Sequence, residues 1–231
     1  MQLADTPTRR PSSAADSLKT QRLVLRPWQP TLDARHAFDI YGDIRVIQQI
    51  GERSPDSNIR HVQARLQRYV NLCDKNGRRS GLGSWAVVQK DIGRVIGHVM
   101  LVPMPDIAEV RYAHVAEPIE DGLDTHYIEI GWHFRPASWG FGYATEAALG
   151  IAQHAFEALN VPLLLAVTNA ENLRSVGVMR RLGMKADGVT TRCYGGKPLL
   201  LYRLTQPDLM EAKARWDSEL AFIQALDNIE E

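Results

Sequence analysis

The sequence predicts a mixed α/β or α+β domain, a single sheet with helices on both faces. Three observations carry this. Apolar residues recur at period two in some segments and at three- and four-residue steps in others, in the order β, α, α, β, β, β, α, β, α, β, β, α. The middle strands are joined by a hairpin-sized link, whereas a helix separates the next two, which implies a β-α-β crossover. The chain has 231 residues, 45% apolar and 23% charged, enough for one generous domain of ordinary globular composition.

Each element has its own signal. In QRLVLRPW (21–28), Leu23 and Leu25 face one way and Arg22, Val24 and Arg26 the other, with Pro27 and Pro30 closing the strand. TLDARHAFDIYGD follows as a helix with Leu32, Ala37, Ile40 and Tyr41 near helical spacing and Thr31 as its N-cap. A clearer amphipathic helix sets Ile59, Val62, Leu66, Tyr69, Val70 and Cys73 on one face. Asp56, Ser57 or Asn58 can cap its start and Gly77 can stop it. SWAVVQK and RVIGHVMLV are strands linked through Asp91 to Gly93. Residues 103–125, with three prolines and several acids, are too long for a turn and read as an insertion.

HYIEIGWHF (126–134) is an aromatic and β-branched strand. After the glycine turn at 140–142, Ala144, Ala148, Ile151, Ala155 and Leu159 mark a helix of about four turns. VPLLLAVT (161–168) is continuously apolar, as a buried strand is. ENLRSVGVMRRLG is a helix stopped by Gly183. MKADGVTTRCY and KPLLLYRL form a closing strand pair, and a last helix starts near Pro207. The organisation is a mobile lead segment over 1–17, rich in Ser, Pro, Thr and Ala, a domain over 18–205, and a helical extension of that domain over 206–231.

Lys plus Arg equals Asp plus Glu at 27 each, and this balance argues against a nucleic-acid partner. No run approaches the ~18 apolar residues of a membrane span, and residues 1–17 lack the apolar core of a secretory signal. Cys73 and Cys193, the two cysteines, show neither ligand nor redox spacing, so no metal is expected and a reducing, cytoplasmic setting is.

The stretch RPASWGFGYATEAALG (135–150) carries the chemistry. A strand ends near Phe134, a glycine turn follows, and a helix begins at once. The first turn of a helix presents unpaired N–H groups and partial positive charge, which phosphates favour. The expected donors are the N–H groups of Phe141, Gly142, Tyr143 and Ala144. The same pattern also occurs as a plain turn, and both readings stand on the residues alone. Two specific motifs are excluded: a dinucleotide fingerprint needs a third glycine where Thr145 stands, and a P-loop needs a Gly-Lys-Ser/Thr that is absent.

In context the sequence resembles the GNAT superfamily of acyl-CoA-dependent N-acyltransferases, whose Gln/Arg-x-x-Gly-x-Gly/Ala signature falls here on Trp139, Gly140, Phe141, Gly142, Tyr143 and Ala144. The WGxGYATEA form is similar to the branch of the ribosomal-protein N-terminal acetyltransferases RimJ and RimL. So are LKTQRLVLRPW, IEIGWHFRPASWG and NAENLRSVGVMRRLGMKADG, in the right order from about Leu18 to Leu204. The resemblance implies a central mixed, mostly antiparallel sheet of about seven strands with helices on both faces. It implies acetyl-CoA as co-substrate, with its pyrophosphate on the glycine turn, and transfer of the acetyl group to a primary amine by direct attack in a ternary complex. No metal or membrane takes part, and monomer and homodimer remain equally open. The strand ahead of the turn pairs with pantetheine near Phe134 and supplies an oxyanion donor there. Asn172 lies near the pantetheine, a position that a helix cap would also explain.

Glu129 is the candidate base. It shares a face with Tyr127, Gly131 and His133 at period two, and a carboxylate within an apolar strand serves either catalysis or a structural ion pair. His133 is a second candidate. Ser175 matches the serine assigned as proton donor in the RimL-like branch, or is a small polar residue allowing close packing. The chain departs from the family in three places. Met179 stands where many members have a tyrosine, 189–196 lacks the acid that RimL-like enzymes use, and Phe141 replaces a basic or polar residue. A ribosomal protein substrate is therefore not implied. A non-catalytic acyl-CoA sensor of the same fold is the alternative, and a small cationic amine a third reading, since residues 104–124 carry six acids. Those acids equally suit a solvated loop.

Overall fold

The computed structural model describes residues 17–72, 81–104 and 127–227. Its centre is an eight-stranded sheet in the order β1-β2-β3-β4-β5-β6-β8-β7. The strands are β1 (Leu18–Lys19), β2 (Leu23–Pro27), β3 (Gly83–Gln89), β4 (Arg94–Pro103), β5 (Ile128–Phe134), β6 (Leu164–Thr168), β7 (Lys185–Thr190) and β8 (Leu199–Leu204). Every neighbouring pair is antiparallel except β5 with β6. The mixed sheet with helices on both faces is thus as the sequence predicts, with eight strands against the seven expected. The additional one is β1, which folds back on β2 through a turn where Thr20 Oγ1 accepts from Leu23 N at 3.1 Å.

One face carries α4 (Tyr143–Glu157), α5 (Leu173–Arg181) and the start of α6 (Gln206–Asp227). There Leu23, Leu25, Trp85, Ile96, Ile128, Ile130 and Phe134 meet Ala148, Ile151, Ala152, Ala155, Met179 and Leu209 in one buried core. Burial at this scale contributes ~25 cal/mol per Å² of apolar surface. The opposite face carries α1 (Pro30–Tyr41), the single turn α2 (Ile44–Ile47) and α3 (Ile59–Leu72), with Ala34, Ala37, Ile40, Val62 and Leu66 packed on Ala86 and Val95. α1 starts two residues earlier than a Thr31 cap implies: Gln29 is its N-cap, Pro30 occupies the first turn, and Asp33 reaches back to Gln29 N at 2.8 Å. Asn58 does cap α3, accepting from His61 N at 3.1 Å. Gly77, Cys73 and nearly all of the acidic 104–124 segment lie outside the described residues.

Candidate active site

The site forms where the sheet comes apart. β5 and β6 pair only at Ile128 with Leu164 and Glu129 with Leu165. Beyond these residues the two strands have no shared register, and a cleft opens between them. Arg135 N donates to Ile96 O of β4 at 3.1 Å. By strand alternation the backbone groups of residues 133, 131 and 129 also point to β4, and those of Trp132 and Phe134, with the Ile130 carbonyl, point into the cleft, the Ile130 N–H being taken by the β6 pairing at Leu165. An extended ligand can pair with them as a strand would. Phe134 keeps only its N–H for this, because its carbonyl accepts Trp139 Nε1 at 2.9 Å.

The cleft continues into a cavity of about 800 Å³. Of the residues singled out in the sequence, Glu129, Phe134, Trp139, Ala144, Asn172 and Ser175 line it. Gly140, Phe141, Gly142 and Tyr143 form the turn at its outer edge instead. Gly142 is the N-cap of α4 with φ +76°, and the first helical bond is Glu146 N to Gly142 O. The N–H groups from Gly142 to Thr145 therefore precede the helical ladder. Three of the four expected donors are in this set, with Thr145 in place of Phe141.

The two glycines do different work. A Cβ on Gly140, at φ +87°, would meet nothing within 4 Å. A Cβ on Gly142 would lie 2.8 Å from the Trp216 ring of α6. Gly142 thus makes room for the C-terminal helix, and Gly140 alone leaves open space for a ligand. The turn is held from behind. Glu146, 4% exposed, accepts from Thr20 Oγ1 at 2.5 Å, Arg22 N at 2.7 Å and Arg22 Nε at 2.6 Å. Arg22 in turn donates to Phe141 O at 3.0 Å and stacks on Tyr143. Phe141 is 61% exposed, and Tyr143 turns its hydroxyl away from the cavity to accept Gln89 Nε2 at 2.9 Å.

Across the cleft, α5 begins. Asn172 Oδ1 caps it, accepting from Ser175 N at 3.2 Å. The capping oxygen is used, and the amide nitrogen of the same side chain is left for the cavity, so the two readings of Asn172 are compatible. Arg174 spans the mouth, its guanidinium 4.4 Å from the Trp139 ring.

Glu129 lies at the closed end of the cleft. It is buried, and burial pushes its carboxyl up to about 7, opposed by a hydrogen bond from the Tyr194 hydroxyl to Oε2. Among the described residues no arginine pairs with it. Tyr194 belongs to the 189–196 segment, where the sequence shows no acid. A phenol arrives there instead, and nothing in the local sequence marks it, because its partner is 65 residues away.

His133 occupies the same face of β5 but stands four residues on, ~13 Å along the strand. Burial drives it down to about 4, and His98 beside it is lowered the same way. The Tyr41 hydroxyl joins the two rings, 2.7 Å from His98 Nδ1 and 3.4 Å from His133 Nδ1. Both are neutral near pH 7. Above them, residues 48–53 close the cavity on the side facing α1 and α3. That segment is pinned by the buried Arg65, which bonds both Glu52 oxygens at 2.6 and 2.7 Å and Asp56 at 2.7 Å.

The family model described as the Acetyltransferase (GNAT) domain matches residues 22–185. The chain belongs to the GNAT acetyltransferase family. It is an acyl-CoA-dependent acetyltransferase, and acetyl transfer from acetyl-CoA is the chemistry that this GNAT fold serves. A GNAT relative, the uncharacterized N-acetyltransferase YnaD of Bacillus subtilis, is 27% identical over 176 residues, 76% of this chain and 86% of the relative. Solved GNAT structures share the fold. A GCN5-related N-acetyltransferase from Brucella melitensis superposes with a TM-score of 0.65 at 16% identity, covering 91% of this chain and 86% of that one. RimJ of Mycobacterium smegmatis, solved with CoA-disulfide, gives 0.64 at 17% identity, covering 84% and 90%. Among the described residues no helix is long and apolar enough to cross a membrane, and no three His, Cys, Asp or Glu side chains gather to hold a metal.

Proposed function

We propose that this protein transfers the acetyl group of acetyl-CoA to a primary amine by direct attack within a ternary complex. The observation that carries the reading is Glu129, a buried carboxylate at the closed end of the β5–β6 cleft with no cationic partner among the described residues. A donor whose pyrophosphate sits on the N–H groups of Gly142 to Thr145 has its pantetheine along Ile130 and Trp132, and its thioester stops beside that carboxylate. Asn172 offers its amide to the pantetheine. The acceptor arrives from the side of residues 48–53.

An α-amino group has a pKa of ~8 and a lysine ~10.4, so the amine enters as an ammonium and must lose a proton. Glu129 takes it, and a carboxyl titrating at about 7 is matched to this task. The freed nitrogen attacks the thioester carbonyl, and a backbone N–H of β5 further toward Phe134 holds the tetrahedral oxyanion. The C–S bond breaks. Ser175 gives its hydroxyl proton to the leaving thiolate and takes the second nitrogen proton in return. Charge favours an acceptor with one amine at the reacting end: of the two acids among the described residues that line the cavity, Glu52 is held by Arg65, which leaves Glu129 to meet an ammonium.

Thiol release from acetyl-CoA, screened over N-terminal peptides, lysine peptides, aminoglycosides and polyamines, tests the reading. One class should release thiol with the wild type and lose at least ~100-fold in rate with Glu129→Gln, the usual contribution of a general base. Full activity of Glu129→Gln would move the base elsewhere, and binding without release on any amine would favour a sensor.

A further inference from the structure

We propose that Tyr194 is the positioning residue for Glu129: its phenol fixes carboxylate oxygen Oε2 and leaves Oε1 as the oxygen that receives the acceptor's proton. The inference rests on the reading of Glu129 as base.

Two independent features carry it. The first is the hydrogen bond from the Tyr194 hydroxyl to Glu129 Oε2, made between the turn after β7 and the middle of the sheet. The second is the backbone. Tyr194 stands at φ +51°, followed by Gly195 at +74° and Gly196 at +79°. Three successive left-handed residues build a tight turn, and two of them are the residue type suited to it. The first is a tyrosine, although a side chain with a Cβ is disfavoured there. Asn160 is the other such non-glycine among the described residues, and asparagine tolerates this conformation. A strained aromatic at the edge of a cavity persists when its contact is needed. Tyr194 is also 44% exposed, so burying its ring is not what holds it in place.

Among the described residues, the surroundings of Glu129 assign this role to Tyr194. Val102 of β4 and Leu165 of β6 oppose it in the sheet. The 193–199 turn adds the buried Cys193 and, on the cavity wall, Lys197. Residues 48–53 add Glu52, tied to Arg65, and Arg53. Tyr69 and the neutral His133 complete the titratable groups that line the cavity on that side. Of these, Tyr194 is the one that donates a hydrogen bond to the carboxylate. That bond favours the charged form and opposes burial, which favours the neutral one.

The test follows the Glu129 carboxyl directly, by 13C NMR of glutamate-labelled full-length protein without any acceptor. In Tyr194→Phe the midpoint should rise from about 7 by ~1–2 pH units, the equivalent of one hydrogen bond to a charged group. The acid limb of transfer should move with it. Tyr194→Gly, which relieves the left-handed strain, should give the same midpoint and be no less stable than Tyr194→Phe. An unchanged midpoint in both variants would overturn the proposal, even with Glu129→Gln inactive. Full transfer by Glu129→Gln would instead sink the reading beneath it.

Discussion

Glu129→Gln makes a prediction about stability that needs no acceptor. The carboxyl binds its proton more tightly in the fold, at about 7, than in the unfolded chain, near 4.5. Between these values the native state holds more protons than the unfolded state. Stability contributed by this group is therefore complete below pH 4.5 and lost as pH rises to about 7, after which it is level. At 1.36 kcal/mol per pH unit the loss amounts to ~3 kcal/mol. Glutamine keeps the shape and an oxygen for the Tyr194 hydroxyl but is never charged. The variant should match the wild type near pH 4.5 and exceed it by ~1–3 kcal/mol at pH 8, or ~2–10 °C in melting temperature for a domain of this size. Thermal unfolding of both proteins across pH 4.5 to 8.5 checks this. A variant that is less stable at pH 8, or whose advantage does not grow with pH, would refute the claim that burial raises Glu129.

Substitution of the two turn glycines should separate binding from stability. Gly140→Ala enters open space at φ +87°, so it should cost ~1 kcal/mol of stability while weakening the thermal shift given by acetyl-CoA, which at 100 Kd is worth ~2.7 kcal/mol. Gly142→Ala, driven against Trp216 at 2.8 Å, should destabilise by ~2–3 kcal/mol even without ligand, and equal effects of the two would refute their different roles. Glu146→Ala strands Arg22 and frees the β1–β2 turn. It should lower unfolding free energy by ~3 kcal/mol, read as a shift of the urea midpoint at constant slope, and a loss under 1 kcal/mol would mean the pair is incidental.

Much of the fold was legible because periodicity is local. β2 to β8 and the longer helices appear where alternation or three- and four-residue spacing places them. What was not legible depends on distant partners. β1 is two residues long and owes its existence to pairing with β2. α2 is a single turn capped by Asp43, whose side chain accepts from Arg45 N at 2.9 Å. In the site, the glycine turn was readable as a helix start, yet Gly142 proved to answer to Trp216, 74 residues away. Glu129 stood out as an acid in an apolar strand, whereas Tyr194, its hydrogen-bond donor, carried no signal because the contact is tertiary. His133 looked equivalent to Glu129 from the pattern. Position along β5 separates them, since only Glu129 adjoins the point where β5 and β6 part.

That point follows from topology. Seven strand adjacencies make up the sheet, and one of them, β5 with β6, is parallel. An antiparallel link sends the chain straight back into the neighbouring strand. A parallel link requires a crossover, here the glycine turn and α4. Consequently β5 and β6 both end on the same side of the sheet, and both are followed by helices, α4 and α5, that begin there. Two helix N-termini then converge on one mouth, each with unpaired N–H groups and partial positive charge. The strands separate at that end, because after Leu165 no β6 residue keeps register with β5. A ligand that suits such a place is anionic at one end and extended along the other, with hydrogen-bonding groups for a strand edge. Acyl-CoA has this form, and on the proposed reading its thioester comes to the inner end of the cleft, beside Glu129.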